Sequence, residues 1–210
     1  MAVNMTGGQK LVQALYREGV RVIFGVPGMQ QYHAVDAVYR EPRIRYISTR
    51  HEQATTYMAD GYARVSGQVA TAMVVPGPGL LNAAAGMATA YAVSSPLLVV
   101  TGDAGSATLP IGSPSAGSAK TPDVQGAEDD QRHFLRPITK WTARARHPAD
   151  IPAIVHEAFR QLHTGRARPV EIEIAPEVLA AETEIELLAP GSYERPGGAG
   201  EEVERAERIL

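Results

Sequence analysis

A chain of 210 residues, 44% hydrophobic and 20% charged, is long enough for one well-cored domain with a little left over, and its composition is that of an ordinary globular protein. The absence of cysteine excludes disulfides, thiolate metal sites and a cysteine nucleophile, and a net charge of −3 with dispersed basic residues lacks the footprint of a nucleic-acid binder. The most apolar stretch, residues 80–93, is interrupted by Asn82 and Thr89 and is too short to span a bilayer, and the first residues lack the basic-then-apolar order of an export signal. A small-molecule ligand and a cytoplasmic setting are therefore expected, with no nucleic-acid or membrane partner.

The elements follow in chain order. Thr6-Gly-Gly-Gln9 is a capping box that opens a first helix, with Leu11, Val12 and Leu15 on one face and Gly19 as its stop. Residues 20–24 read as a buried strand, and after a glycine turn a helix is expected over 32–40, ended by Pro42. The alternating, β-forming residues 44–49 lead into a helix in which Ala54, Tyr57, Met58, Gly61, Tyr62 and Val65 recur at helical spacing before Gly67. Strand 69–75, helix 80–93 and strand 97–101 continue the alternation, followed by a strand at 138–142, a helix at 150–163 and a strand at 170–175. This rhythm predicts an α/β domain with a largely parallel sheet of about six strands covered by helices on both faces. The continuous apolar runs 72–75 and 97–100 suit central strands.

Two stretches break the rhythm. Residues 103–131, rich in Gly, Ser, Pro and Ala, read as a long loop, either a surface excursion or a lid over a site. Residues 186–200 read as a linker between domains, and residues 201–210 as the first helix of a further domain, so that residues 1–185 form the domain proper.

The richest segment for function is Arg50-His-Glu-Gln-Ala-Thr-Thr-Tyr-Met-Ala-Asp-Gly-Tyr-Ala-Arg64. It places Glu52 where a strand hands over to a helix, above the crevice in which open parallel sheets bind ligands. An acid in the first turn of a helix is also what the helix dipole alone favours. Phe24-Gly-Val-Pro-Gly28 and Pro76-Gly-Pro-Gly79 are glycine turns after strands, where backbone can approach a ligand closely. No Gly-Lys-Ser/Thr follows the second, so a Walker A loop is disfavoured, and no Gly-x-Ser-x-Gly elbow supports a serine hydrolase. The small-residue helix after Pro78 fits close packing, within the chain or between subunits. The histidines form no metal cluster: His33, His133, His147, His156 and His163 read as exposed or locally bonded, while His51 adjoins Glu52.

These motifs, together with Ser94-Ser-Pro-Leu-Leu-Val-Val-Thr-Gly102 and Pro137-Ile-Thr-Lys-Trp141, resemble in order and spacing the N-terminal pyrimidine-binding domain of thiamine diphosphate enzymes. The acetolactate synthase-like and 2-oxo acid decarboxylase group is the nearest likeness, and it runs from about residue 6 to 179. The resemblance implies that Glu52 is catalytic. It would share a proton with N1′ of the cofactor's aminopyrimidine, so that the 4′-amino group becomes the base that deprotonates the thiazolium. It further implies that Val26, Pro27, Pro78 and Asn82 lie beside the cofactor ring, and that Gly28, Met29, Gln30 and Glu128 line the substrate pocket; His51, from its adjacency to Glu52, is a candidate to tune that acid or to face substrate, with a structural role as the alternative. Magnesium would be held by a third domain absent from these residues, where Gly102-Asp103-Ala104 only echoes the metal motif, and a central domain could carry FAD. A homodimer or tetramer through this domain and a 2-oxo acid substrate are implied as well. In one departure, residues 126–131 stand where acetolactate synthases carry Phe-Gln-Glu, leaving Glu128 as the match. The alternatives are the small subunit of a split 2-oxo acid decarboxylase and a catalytically silent binding or assembly domain of the same fold.

Overall fold

The computed structural model describes residues 3–102, 134–185, 188–193 and 199–209. Glu128, His133 and the expected loop at 103–131 lie outside them.

The first helix, α1 (Gly7–Arg17), opens as its sequence dictates: the Thr6 side chain accepts from the Gln9 amide while the Gln9 side chain accepts from the Thr6 amide. Leu11, Val12 and Leu15 are buried, and Gly19 leaves the helix at φ +98°, a region that favours glycine. Next come β2 (Val22–Gly25), α2 (Tyr32–Tyr39), β3 (Arg45–Ser48), α3 (Glu52–Ser66), β4 (Ala70–Val74), α4 (Pro78–Val93) and β5 (Leu97–Gly102). The remainder supplies β6 (Trp141–Ala145), α5 (Ile151–His163), β7 (Val170–Ile174), the short α6 (Pro176–Ala180) and, at the end, α7 (Gly200–Glu207).

The main sheet has six strands in the order β3-β2-β4-β5-β7-β6, every neighbour pair parallel. The α/β architecture and strand number read from the sequence are those observed, with β4 and β5 central and buried throughout. Strand order reverses between β2 and β4, and at such a switch point a crevice opens past the carboxyl ends of the strands. One core lies under α1, α2 and α5 and includes Leu11, Leu15, Ile23, Met73, Phe159 and Ile172. The other lies under α3 and α4 and includes Phe24, Ala72, Val74, Leu97, Val99 and Met87. Each fully buried large apolar side chain contributes about 1.5–3 kcal/mol.

Three features depart from the sequence reading. β6 starts at Trp141 rather than near residue 138, because Pro137 sits in a 3₁₀ turn, Arg136–Ile138, closed by a bond from Thr139 Oγ1 to the Leu135 carbonyl (2.8 Å). β1 (Val3–Thr6) and β8 (Glu182–Ile185) form a separate two-stranded antiparallel sheet that no alternation announced. It is fastened by the buried Lys10, which donates to Thr183 Oγ1 and to the Glu184 carbonyl (3.0 Å), and burial lowers the lysine's pKa. In β7 the buried Glu173 receives the Arg144 guanidinium of β6 at 2.8 Å, the pairing that a carboxylate in the interior requires. Beyond β8, Leu188 accepts from Arg17 (3.3 Å), Tyr193 donates to the His156 carbonyl (3.3 Å), and its ring stacks on His163 at 5.0 Å.

Helix α3 runs as predicted, but of its larger apolar residues Tyr62 alone packs on the core, against Phe24 with ring centroids 5.9 Å apart. The residues it buries are small or polar: Thr55, Thr56, Ala59, Asp60 and Ala63. Tyr57, Met58 and Val65 point outward, with Val65 92% exposed. The reason is the closeness of α4: Thr56 Oγ1 donates to the Ala83 carbonyl at 2.8 Å, and Asp60 accepts from the Ser95 hydroxyl at 2.5 Å. A Cβ added to Gly86 would stand 2.2 Å from Thr56 Oγ1, so large side chains have no room between these helices. On unfolding in urea, Gly86→Ala is expected to lose about 1–3 kcal/mol from overpacking. Gly61→Ala, on the open side of α3 with nothing within 4 Å, is expected to gain about 0.5–1 kcal/mol.

Candidate active site

The carboxyl end of β3 is tied to β2 by the Thr49 amide, which donates to the Gly25 carbonyl at 2.9 Å. Thr49 and Thr55 are buried and share a hydroxyl–hydroxyl bond of 2.5 Å. Thr49 Oγ1 also donates to the His51 carbonyl (3.2 Å), which takes the Thr55 amide at 3.2 Å. His51, extended at φ −159°, is the N-cap of α3, its Nδ1 accepting from the Gln53 amide at 3.1 Å. Glu52 is therefore the first residue of α3, as the sequence placed it, and its backbone is fixed from several directions.

The opposite wall is the start of α4. Gly77 caps that helix at φ +65°, ψ −119°, a conformation that asks for glycine, and Pro78 occupies the first turn, where its missing N–H costs nothing. Asn82 Nδ2 donates to Glu52 Oε2 at 3.1 Å. The other oxygen, Oε1, faces bare backbone: a Cβ on Gly79 would stand 3.3 Å from it. The carboxylate thus sits between the amino ends of α3 and α4, whose dipoles favour negative charge. The Val75 side chain packs against the same glycine, Gly79.

Val75, at the end of β4, joins this wall to the second loop. Its Cγ2 is 2.6 Å from the position of a Cβ on Gly79 and its Cγ1 2.3 Å from one on Gly28. Val26 is half-buried and donates to the Met73 carbonyl at 3.3 Å, while Pro27 and Met29 are exposed. Gln30 leans on the end of β5, its Cβ 2.9 Å from where a Cβ on Gly102 would be. Glu52, Asn82 and the Pro78 turn are thus brought together directly, and the loop at 26–30 reaches them through Val75. Glu128 is outside the described residues. His51 turns its Nδ1 to the helix, not to the loop.

Several contributors carried no legible signal. Gln31, buried at the base of the loop, donates from Nε2 to the carbonyls of Val74 (2.7 Å) and Val100 (3.1 Å), fastening the loop to β4 and β5. Tyr46 places its hydroxyl over Gly25, 2.1 Å from where a Cβ would be, and burial pushes that phenol up to about 12. Glycine at 25, 28, 79 and 86 could have been read as close approach, but which atom approaches is set only by the fold. Among the described residues no group of three or more His, Asp or Glu is placed to hold a metal ion, and no helix is long and apolar enough to cross a membrane.

A parallel sheet with a carboxylate at its switch point is the architecture of an α/β cofactor-binding protein. The family model described as "Thiamine pyrophosphate enzyme, N-terminal TPP binding domain" matches residues 5–131, and the chain belongs to that family. It is 41% identical over 181 residues to the acetolactate synthase large subunit of Lactococcus lactis, covering 86% of this chain and 29% of the relative. It is 39% identical over 180 residues to the probable 2-ketoarginine decarboxylase AruI of Pseudomonas aeruginosa, covering 85% and 30%. It is 37% identical over 194 residues to the probable acetolactate synthase large subunit of Methanocaldococcus jannaschii, covering 92% and 31%. The chain thus spans less than a third of the length of these relatives.

The residues present fit the aminopyrimidine half of thiamine diphosphate. Glu52 offers an oxygen beside the backbone of Gly79, where a side chain would press on that oxygen and on Val75. Asn82→Leu removes the donor to that carboxylate while keeping the volume. Because the bond is exposed, stability is expected to fall by no more than about 1 kcal/mol. A crystal structure of the variant is expected to show the Glu52 carboxylate rotated; an unmoved carboxylate would mean that the backbone of α3 alone aims it.

Proposed function

We propose that this chain supplies the aminopyrimidine half-site of a thiamine diphosphate-dependent transferase or lyase acting on 2-oxo acids, acetolactate synthase-like in its chemistry. The observation that carries the reading is Glu52 at the first position of α3, one carboxylate oxygen bonded to Asn82 and the other beside bare Gly79. When bound, the cofactor supplies the nucleophilic carbon and electron sink with which a C–C bond next to a 2-oxo acid carbonyl is broken or made. Glu52 would hold a proton for the ring nitrogen N1′ and take it back, and Asn82, by its bond to Oε2, would steady the carboxylate for that exchange. Val26, Pro27 and Pro78 would flank the ring, and Gly28, Met29 and Gln30 would wall the side where substrate enters; Glu128 is assigned to the same pocket by resemblance alone. The diphosphate with its magnesium, and any flavin, are assigned to residues outside this chain, residues 186–200 serving as the linker toward them. Similarity to both an acetolactate synthase and a decarboxylase supports the 2-oxo acid class and leaves carboligation and simple decarboxylation as its two forms.

Self-association through α3 and α4 belongs to the same proposal. Tyr57 and Met58 of α3 and Leu81 and Val93 of α4 are all more than 40% exposed, apolar residues that a second copy would cover in a homodimer or tetramer. A soluble cytoplasmic enzyme is the setting this implies.

In the full-length protein with pyruvate and magnesium, Glu52→Gln keeps the shape but loses the exchangeable proton, and turnover is expected to fall about 10²- to 10⁴-fold. Calorimetry should show weaker cofactor binding, and unchanged turnover would sink the assignment. Separately, Tyr57→Glu with Met58→Glu is expected to convert the dimer or tetramer to monomer in sedimentation velocity. A wild-type protein that is already monomeric would remove the interface.

A further inference from the structure

We propose that His51 is a positioning residue for Glu52: its imidazole, with the lone pair on Nδ1, is the cap that fixes the first turn of α3. The assignment rests on the reading of Glu52 as the proton-sharing acid, and it goes further by giving His51 a role other than contact with substrate.

The geometry around residue 51 is specific. Nδ1 accepts from the Gln53 amide at 3.1 Å, so in the neutral ring the proton sits on Nε2, which leaves the second nitrogen turned away from the helix. The His51 carbonyl accepts from the Thr55 amide (3.2 Å) and from Thr49 Oγ1 (3.2 Å), while the Thr55 hydroxyl donates to Thr49 Oγ1 (2.5 Å). Both neighbouring hydroxyls are thus committed elsewhere. The imidazole is the group that meets the Gln53 amide.

The consequence falls on the next residue. Glu52 stands at the first helical position, so the direction of its Cα–Cβ bond follows the dihedrals of the first turn. Among the described residues its side chain has one hydrogen bond, from Asn82 at 3.1 Å, and that bond is exposed. A frayed first turn would carry the carboxylate away from the backbone of Gly79, which a Cβ would bring within 3.3 Å of Oε1. Displacements of about 1 Å at a reacting group cost on the order of 10²-fold in rate. The cap thus acts on catalysis without touching the reacting atoms.

The test compares wild type with His51→Asn, which keeps a cap acceptor, and with His51→Ala and His51→Phe, which do not, in the full-length protein. Nitrogen NMR of wild type should show the His51 proton on Nε2; a proton on Nδ1 would overturn the cap. Hydrogen exchange at the Gln53 amide should be unchanged or slower in His51→Asn and about fivefold faster in His51→Ala, the loss expected for a cap. Equal exchange in all variants would also overturn it. Turnover should fall in His51→Ala and His51→Phe and return in His51→Asn with little change in KM. Turnover as low in His51→Asn as in His51→Ala, with the Gln53 amide protected, would overturn the positioning role and indicate substrate contact. Failure of the Glu52 reading itself would show as undiminished turnover in Glu52→Gln, whereas the exchange and tautomer measurements need no substrate.

Discussion

The close approach of α3 and α4 on one face of the sheet is the constraint on which the site depends. Thr56 donates its hydroxyl to the Ala83 carbonyl, and Gly86 leaves the surface on which that threonine rests. A side chain larger than hydrogen at 86 would part the helices, and parting them would separate Glu52 from Asn82 one turn away. The polar residues that α3 buries are therefore not a weakness of the core. Each has a partner, Thr55 in Thr49, Thr56 in the Ala83 carbonyl of α4 and Asp60 in the Ser95 hydroxyl, as buried polar groups must.

The same contact explains why α3 turns most of its larger apolar residues outward. A helix with small or polar residues toward its neighbour and Tyr57, Met58 and Val65 toward solvent inverts the usual arrangement. Exposed apolar residues spread along a helix in this way mark a surface that gains by being covered. The site and this surface share the same two helices, so a partner docked there would stiffen the scaffold that holds Glu52.

Glu52 also illustrates how a carboxylate can be aimed with few direct contacts. Among the described residues its side chain has one bond, from an exposed amide, yet its backbone is fixed by β2 through Thr49, by the hydroxyl pair of Thr49 and Thr55, and by the imidazole of His51. Rigid backbone and a single side-chain bond leave one carboxylate oxygen open on its ligand side. Gly77 makes the turn into α4 with a positive φ, and Gly79, lacking a Cβ, lets Oε1 and Val75 approach the backbone. The chemistry attributed to the site needs such an open oxygen.

By itself the sequence determined the element order, the parallel sheet with central β4 and β5, the capping box at Thr6 and the placement of Glu52 at a strand-to-helix junction. These follow from local periodicity, caps and glycine turns, each written within a few residues. It misplaced the start of β6, where Pro137 diverted the chain into a 3₁₀ turn, and it was silent on the β1–β8 sheet, whose four-residue strands are brought together from opposite ends of the chain. Only the tertiary structure decided that α3 turns Tyr57, Met58 and Val65 outward, that Val75 joins the two loops, and that Gln31 fastens one of them to β4 and β5. Periodicity reports that a helix has an apolar side but not which side its neighbours leave room for. That choice was made by Gly86 and Thr56, thirty residues apart in sequence and in contact only once the sheet has brought α3 and α4 together.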